Sequence, residues 1–283
     1  PYVLFAYYLM VGILIMVYNH PVFLFTLLMA LLLINFSHDS GKSLKKWSVP
    51  LLIMGFAFML INPLLVSRGS HILFYLGNRQ ITLEATIFGI VMSFMLTSII
   101  LLFISFNLIL NGNKFLFLFS KILPRTAFLI LLTMRFVPLL KRRLDEITVV
   151  QRVRGMTLSE GSLSIRARHG MNMIQTLLTW SLEEAIQTAD SMNARGYGSG
   201  KKSSYVLYKM ERKDWFSLAT LFALFSINLF CFLYGYGKII IYPKLSTLQF
   251  FLLDWIAYLS MIVLALFPLI TEGIEYSRWK FYE

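Results

Sequence analysis

The chain has 283 residues, 58% of them hydrophobic, with a mean hydropathy of +0.70, which is too apolar for a soluble domain of this length. Its net charge of +12 lacks aromatic–basic alternation, so it argues against nucleic acid and fits membrane topology plus attraction to anionic lipid heads. With Cys231 as the single cysteine, no intrachain disulfide can form.

Six stretches approach the roughly 20 apolar residues that a crossing of the hydrocarbon core needs: 2–18, 21–36, 48–66, 82–110, 215–234 and 246–270. The first two make a hairpin around Asn19-His20-Pro21. No basic n-region or small-residue cleavage site marks the first as a signal peptide, and an opening at Pro1 suggests residues before it. Pro63, after Ile61-Asn62, would end or kink the third span near its outer end. The fourth span carries Ala85, Gly89, Ser93 and Thr97, a small residue at every fourth position, which lets two helix backbones approach closely in lipid.

Between the fourth and fifth spans lies a long polar insert, 111–214, so the chain divides into 1–110, 111–214 and 215–283. Residues 126–140 are almost wholly apolar yet hold Arg135 and Pro138, which disfavours a clean crossing and fits a helix lying beneath or dipping into the bilayer. Beyond Lys141-Arg142-Arg143, an apolar stripe of Leu144, Ile147, Val150 and Val153 leads to Arg154-Gly155. From Met171 a second stripe runs through Ile174, Leu177, Leu178, Ser181, Leu182, Ala185, Ala189 and Met192 at three–four spacing, one face of a helix. It ends at Ala194-Arg195-Gly196, where the glycine supplies a left-handed C-terminal residue and the arginine complements the helix dipole. Gly198 to Ser204 reads as a loop.

Basic residues set the orientation. With the N-terminus inside, the exterior loops hold only Arg68, Arg79, Lys238 and Lys244 of the 26 Lys and Arg. Both termini and the insert then lie in the cytoplasm.

Catalytic and cofactor motifs do not emerge. Ser40-Gly41-Lys42-Ser43 resembles the tail of a phosphate loop, but Phe36 stands where its first glycine belongs. Gly196, Gly198 and Gly200 are misspaced for a dinucleotide fingerprint. His20, His38, His71 and His169 lack metal-ligand spacing, and no nucleophile has a motif around it. Asp254, inside the last stretch, is the one intramembrane acid to weigh, as a functional group or as a solvated or paired one.

Four stretches resemble the T component of energy-coupling factor (ECF) transporters, the EcfT/CbiQ family. They are Ile61-Asn62-Pro63 with the Gly69 loop and Ile81-Thr82-Leu83-Glu84; Arg135-Phe136-Val137-Pro138; Gln151-Arg152-Val153-Arg154-Gly155; and Met192-Asn193-Ala194-Arg195-Gly196-Tyr197-Gly198. One departure is Val153, where the family's signature has alanine. The resemblance implies an all-α polytopic membrane protein with about six transmembrane helices and two long amphipathic cytoplasmic coupling helices. It implies a non-catalytic scaffold that couples ATP hydrolysis by two ABC ATPase subunits to uptake of a vitamin or metal ion bound by a small membrane-embedded S component. Val153, Arg154, Gly155, Ala194, Arg195 and Gly196 would contact the ATPases. Arg135, Pro138, Leu178, Leu182 and Ala185 would be structural or interface residues. ATP and magnesium would be bound by the partners, the chain itself holding neither cofactor nor metal, and the location would be the bacterial plasma membrane.

Two other classes stay open. A conventional ABC importer permease would carry a Glu-Ala-Ala loop, which Glu184-Ala185-Ile186 only faintly resembles, with Asp190 at the glycine position. An intramembrane enzyme would need paired acids or a nucleophile in the spans.

Overall fold

The computed structural model describes residues 1–39, 41–66, 69–76, 79–120, 122–155, 162–200, 208–239, 241 and 251–282. Ten helices and one hairpin are seen among them, in two compact units: residues 1–112 with 210–283, and residues 113–209.

The first unit holds α1 (Tyr2–Val17), α2 (Pro21–Asp39), α3 (Lys42–Leu65), the strands β1 (Ile72–Leu76) and β2 (Arg79–Thr82), and α4 (Leu83–Ile109). After the second unit's α5 (Gly112–Ser120), α6 (Pro124–Val153) and α7 (Leu163–Ala194), the first unit resumes with α8 (Arg212–Leu233), α9 (Leu252–Ala265) and α10 (Phe267–Tyr282). The architecture is all-α. By length and composition α2, α3, α4 and α8 can each cross a membrane, and the α9–α10 pair makes a fifth if counted as one span. Among the described residues this gives four or five crossings rather than the expected six, the described part of α1 being an apolar helix of 16 residues. The last stretch is also not one straight helix. Its axis turns by 54° at Leu266, since Pro268 in the first turn of α10 has no N–H and its ring crowds the preceding turn. Residues 246–250 of that stretch, and 201–204 of the expected loop, lie outside the described residues.

The small-residue stripe of α4 faces α3. A Cβ on Gly89 would stand 3.0 Å from the carbonyl oxygen of Met59, and Ser93 Oγ donates to the Gly55 carbonyl at 2.8 Å. Asn62 Nδ2 donates to the Ala85 carbonyl at 2.9 Å, so Asn62-Pro63 lies on this seam. Pro63 stays inside α3, two residues before its end. Where lipid gives no hydrophobic drive for helix association, such close packing and interhelical hydrogen bonds hold the pair together.

The core of this unit is built from Tyr7, Val11, Leu14 and Ile15 of α1, Phe23, Leu27 and Leu31 of α2, Leu101 of α4, Leu221 of α8 and Met261 of α9. Several polar groups within it are paired across helices. Tyr7 Oη donates to the Ala265 carbonyl at 2.7 Å, Tyr8 Oη and Ser105 Oγ share a bond of 2.6 Å, and Tyr18 Oη donates to Asn228 Oδ1 at 3.0 Å. Asn228 Nδ2 in turn reaches Ser260 Oγ at 2.9 Å. Asp254 is a paired acid: its carboxylate accepts from the backbone N–H of Gly237 at 2.8 Å and of Phe251 at 2.9 Å.

At one end of the α3–α4 pair, Glu84 is fully buried and organises the connection. Its Oε1 accepts from Ser70 N, Ser70 Oγ and His71 N at 2.8–3.1 Å. Gly69, at φ 149°, passes so close that a Cβ there would lie 2.5 Å from Glu84 Oε2. Glycine is required both by that conformation and by that approach.

Candidate functional site

Both Arg-Gly endings lie in the second unit. α6 runs unbroken to Val153 with Pro138 inside it. Arg154 then caps the helix, its N–H shared between the Val150 and Gln151 carbonyls at 3.2 and 3.1 Å. Gly155 follows at φ 77° and bonds back to the Arg152 carbonyl at 3.0 Å.

α7 ends the same way, with a fuller lock. Arg195 is the cap and Gly196 has φ 81°. Gly196 N–H bonds the Asn193 carbonyl at 2.9 Å and Tyr197 N–H the Met192 carbonyl at 3.0 Å, the paired bonds of a Schellman ending. Ser199 Oγ donates to the Gly196 carbonyl at 2.7 Å and holds the following turn.

A Cβ on Gly155 would meet nothing within 4 Å, so the chain's own packing does not demand glycine there; the positive φ does. Val153 is 84% exposed, and Arg154, Gly155, Ala194, Arg195 and Gly196 are exposed as well. Among the described residues none forms an ion pair with Arg135, Arg154 or Arg195. Each ending thus presents a cation, an aliphatic side chain or alanine, and a bare glycine to the surroundings.

Two contacts fix how the helices run. The Phe128 and Tyr197 rings stack at 5.2 Å with planes 20° apart, and the Arg143 guanidinium lies 4.8 Å from the centre of the Trp180 ring. The early part of α6 therefore meets the end of α7, and the later part of α6 meets the middle of α7. The pair is antiparallel, and the two Arg-Gly endings stand at opposite ends of it. From Phe128 to Val153, at about 1.5 Å per residue, that is roughly 37 Å.

On α7, Trp180 meets α6 and Met173 is buried. Leu178, Leu182 and Ala185 are left open. Leu178 is 57% and Leu182 66% exposed, and Ala185 is exposed too. α6 likewise leaves Leu129, Leu131, Met134 and Val137 open, with Arg135 and Pro138 exposed among them. The Phe128–Tyr197 stack and the Arg143–Trp180 contact escaped the sequence reading. The signal available was an aromatic residue directly after the Arg195-Gly196 ending.

The described residues hold no group of three His, Cys, Asp or Glu able to bind a metal ion.

Residues 2–206 match the CbiQ family, described as cobalt transport protein. Several curated relatives are energy-coupling factor transporter transmembrane proteins (EcfT). That of Staphylococcus aureus is 31% identical over 88 residues, covering 31% of this chain and 33% of its own length. The Leuconostoc gelidum subsp. gasicomitatum protein is 27% identical over 175 residues, covering 58% of this chain and 65% of its own. The Lactobacillus helveticus protein is 33% identical over 103 residues, covering 36% and 37%. Each alignment spans less than two thirds of the relative. The chain belongs to the CbiQ family and is a multi-pass membrane protein of the transport class.

Proposed function

We infer that the chain is the membrane scaffold of an ECF-type importer. It passes the motion of two partner ABC ATPases to a separate, membrane-embedded S component that holds a vitamin or a metal ion. ATP and magnesium belong to the ATPases, and this chain binds neither. The observation that supports this reading most is the placement of two alike, exposed Arg-Gly endings at opposite ends of one antiparallel helix pair. A single partner would need one such ending; two subunits of a dimer each need their own.

In this reading Arg154 and Arg195 make charge-assisted hydrogen bonds to carboxylates or carbonyls in a groove of each ATPase. The bare Gly155 and Gly196 let the groove wall come close. When the ATPase dimer closes, the two endings are pushed relative to each other. The apolar residues left open on α7, Leu178, Leu182 and Ala185 among them, carry that displacement to the S component. The chain sits in the bacterial plasma membrane with both termini and the 111–214 region in the cytoplasm.

Affinity purification from native membranes tests this directly. Two ABC ATPase subunits and a small apolar membrane protein should co-purify with the chain. Recovery without any ATPase, or with a soluble extracytoplasmic binding protein instead of a membrane one, would overturn it. Orientation is checked with single cysteines at Ser43, Ser199, Ser277 and Ser70 in a Cys231→Ser background, using an impermeant thiol reagent. In intact cells only the Ser70 position should react, and labelling at Ser199 from outside would exclude any ATPase contact.

A further inference from the structure

The β1–β2 hairpin is unlike the rest of the first unit. Ile72, Leu73 and Tyr75 are 44%, 52% and 63% exposed, on a two-stranded ribbon joining two helices that can each cross a membrane. An isolated hairpin of this size is marginal in water and needs something to pack on. A register shift between Ile72 and Phe74 adds Leu73 as an extra residue in the ladder, so this leucine has no cross-strand partner.

Its position relative to a bilayer follows from chain geometry. The candidate span in α3, Leu44–Leu65, is almost uncovered by the rest of the chain and is apolar and long enough to cross a membrane. Its length in helix already matches a hydrocarbon core of roughly 30 Å, which puts Leu65 near the border. β2 runs into α4 without a linker, Thr82 being both the last strand residue and the N-cap of the helix. Leu83 N–H bonds the His71 carbonyl at 2.9 Å, and Glu84 holds Ser70 and His71. The base of the hairpin is therefore pinned where two spans leave the hydrocarbon, and four β2 residues reach only about 14 Å beyond it.

Polarity changes along that reach. The base carries Ile72 and Leu73, Tyr75 pairs with Gln80 further out, and Leu76 pairs with Arg79 beyond them. Aliphatic residues at the base, then a tyrosine opposite a glutamine and a leucine opposite an arginine, are the mixed apolar, aromatic and basic side chains that suit a membrane interface, where tyrosine sits at headgroup level and arginine extends its charge toward water. The unpaired strand edges fit the hydrated headgroup layer, since they could not be satisfied in hydrocarbon. We propose that the β1–β2 hairpin is an interfacial anchor, with Ile72, Leu73 and Tyr75 seated among the lipid headgroups and upper acyl chains beside α3 and α4.

The test places a nitroxide at Leu73, Tyr75 or Gln80, each mutated to Cys in a Cys231→Ser background. The chain is held with its co-purified subunits in phosphatidylcholine–phosphatidylglycerol nanodiscs. Collision rates with oxygen, which concentrates in lipid, and with a water-soluble nickel chelate are then compared. The oxygen-to-nickel ratio should be several-fold higher at position 73 than at position 80, with position 75 between. Nickel access at 73 equal to that at 80 would place the hairpin in water and overturn the proposal. Protection of 73 and 75 from both probes would mean that a protein covers the hairpin and would overturn it as well. Monodisperse elution of each labelled protein shows that the fold is kept, and these readouts are independent of whether ATPases engage the Arg-Gly endings.

Discussion

The ring of Phe128, in the second turn of α6, stacks on the ring of Tyr197, the residue that follows the Arg195-Gly196 ending of α7. Through this one contact the presentation of Arg195 depends on a residue far away in sequence. The first ending has no counterpart among the described residues, where Gly155 meets nothing. The two endings are alike in backbone and unlike in support.

Removing the stack should therefore affect one ending only. Phe128→Ala should speed amide hydrogen exchange over residues 192–199 and leave 150–155 unchanged. The loss expected for an aromatic pair is about 0.5–1.5 kcal/mol. Unchanged exchange at 192–199 would show that the Schellman bonds and Ser199 hold this turn alone.

Charge reversal tests the endings themselves. Arg154→Glu and Arg195→Glu should each weaken association with the ATPases by about 2–5 kcal/mol, the usual cost of breaking one side of a desolvated charge pair. Because the endings lie at opposite ends of the α6–α7 pair, the two losses should be close to additive. Both are read in pull-downs at fixed salt. Wild-type association and transport in the double variant would remove the coupling interpretation.

What could be read from sequence was what depends on neighbours in sequence. The C-terminal glycines and the α7 periodicity are of this kind, and so is the Gly89–Ser93 stripe, whose partner α3 follows from adjacency. The hairpin was not legible. Its strands form around Glu84, which bonds residues 70 and 71 from the far side of the loop, and such a bond has no periodic signal. The break at Leu266 was hidden because Pro268 sits within an apolar run whose length dominated the reading. On α7 the spacing marks a stripe but cannot say what covers it: Leu178 and Leu182 are left exposed.

His20 gives a pH dependence. Burial lowers its pKa from the usual imidazole value, against a smaller opposite pull from the Asp254 carboxylate. Its Nδ1 accepts the Val22 N–H at 3.2 Å, a bond available only to the ring with Nδ1 unprotonated. The unfolded chain therefore binds a proton more readily than the folded one as pH drops through about 6.5. Stability should be flat above about pH 7 and should fall as the pH drops below about 6.5. His20→Asn should remove that slope. The measurement is thermal unfolding in nanodiscs across this range, and the same slope in the variant would assign the effect to another group.

Leu182 separates coupling from assembly. It is two-thirds exposed in the chain, so a carboxylate placed there meets water when α7 is uncovered. Leu182→Asp should then leave the α6–α7 pair, its Arg143–Trp180 contact and ATPase binding intact. If the S component seats on this face, the same carboxylate is buried without a partner in the full complex, at a cost of several kcal/mol. The expected outcome is an ATPase that still hydrolyses ATP while uptake into proteoliposomes is lost. Leu182→Met, which keeps the surface apolar, should transport normally. Uptake at the wild-type rate in Leu182→Asp would mean that water faces this residue throughout the cycle, and that the displacement of α7 reaches the S component through another surface.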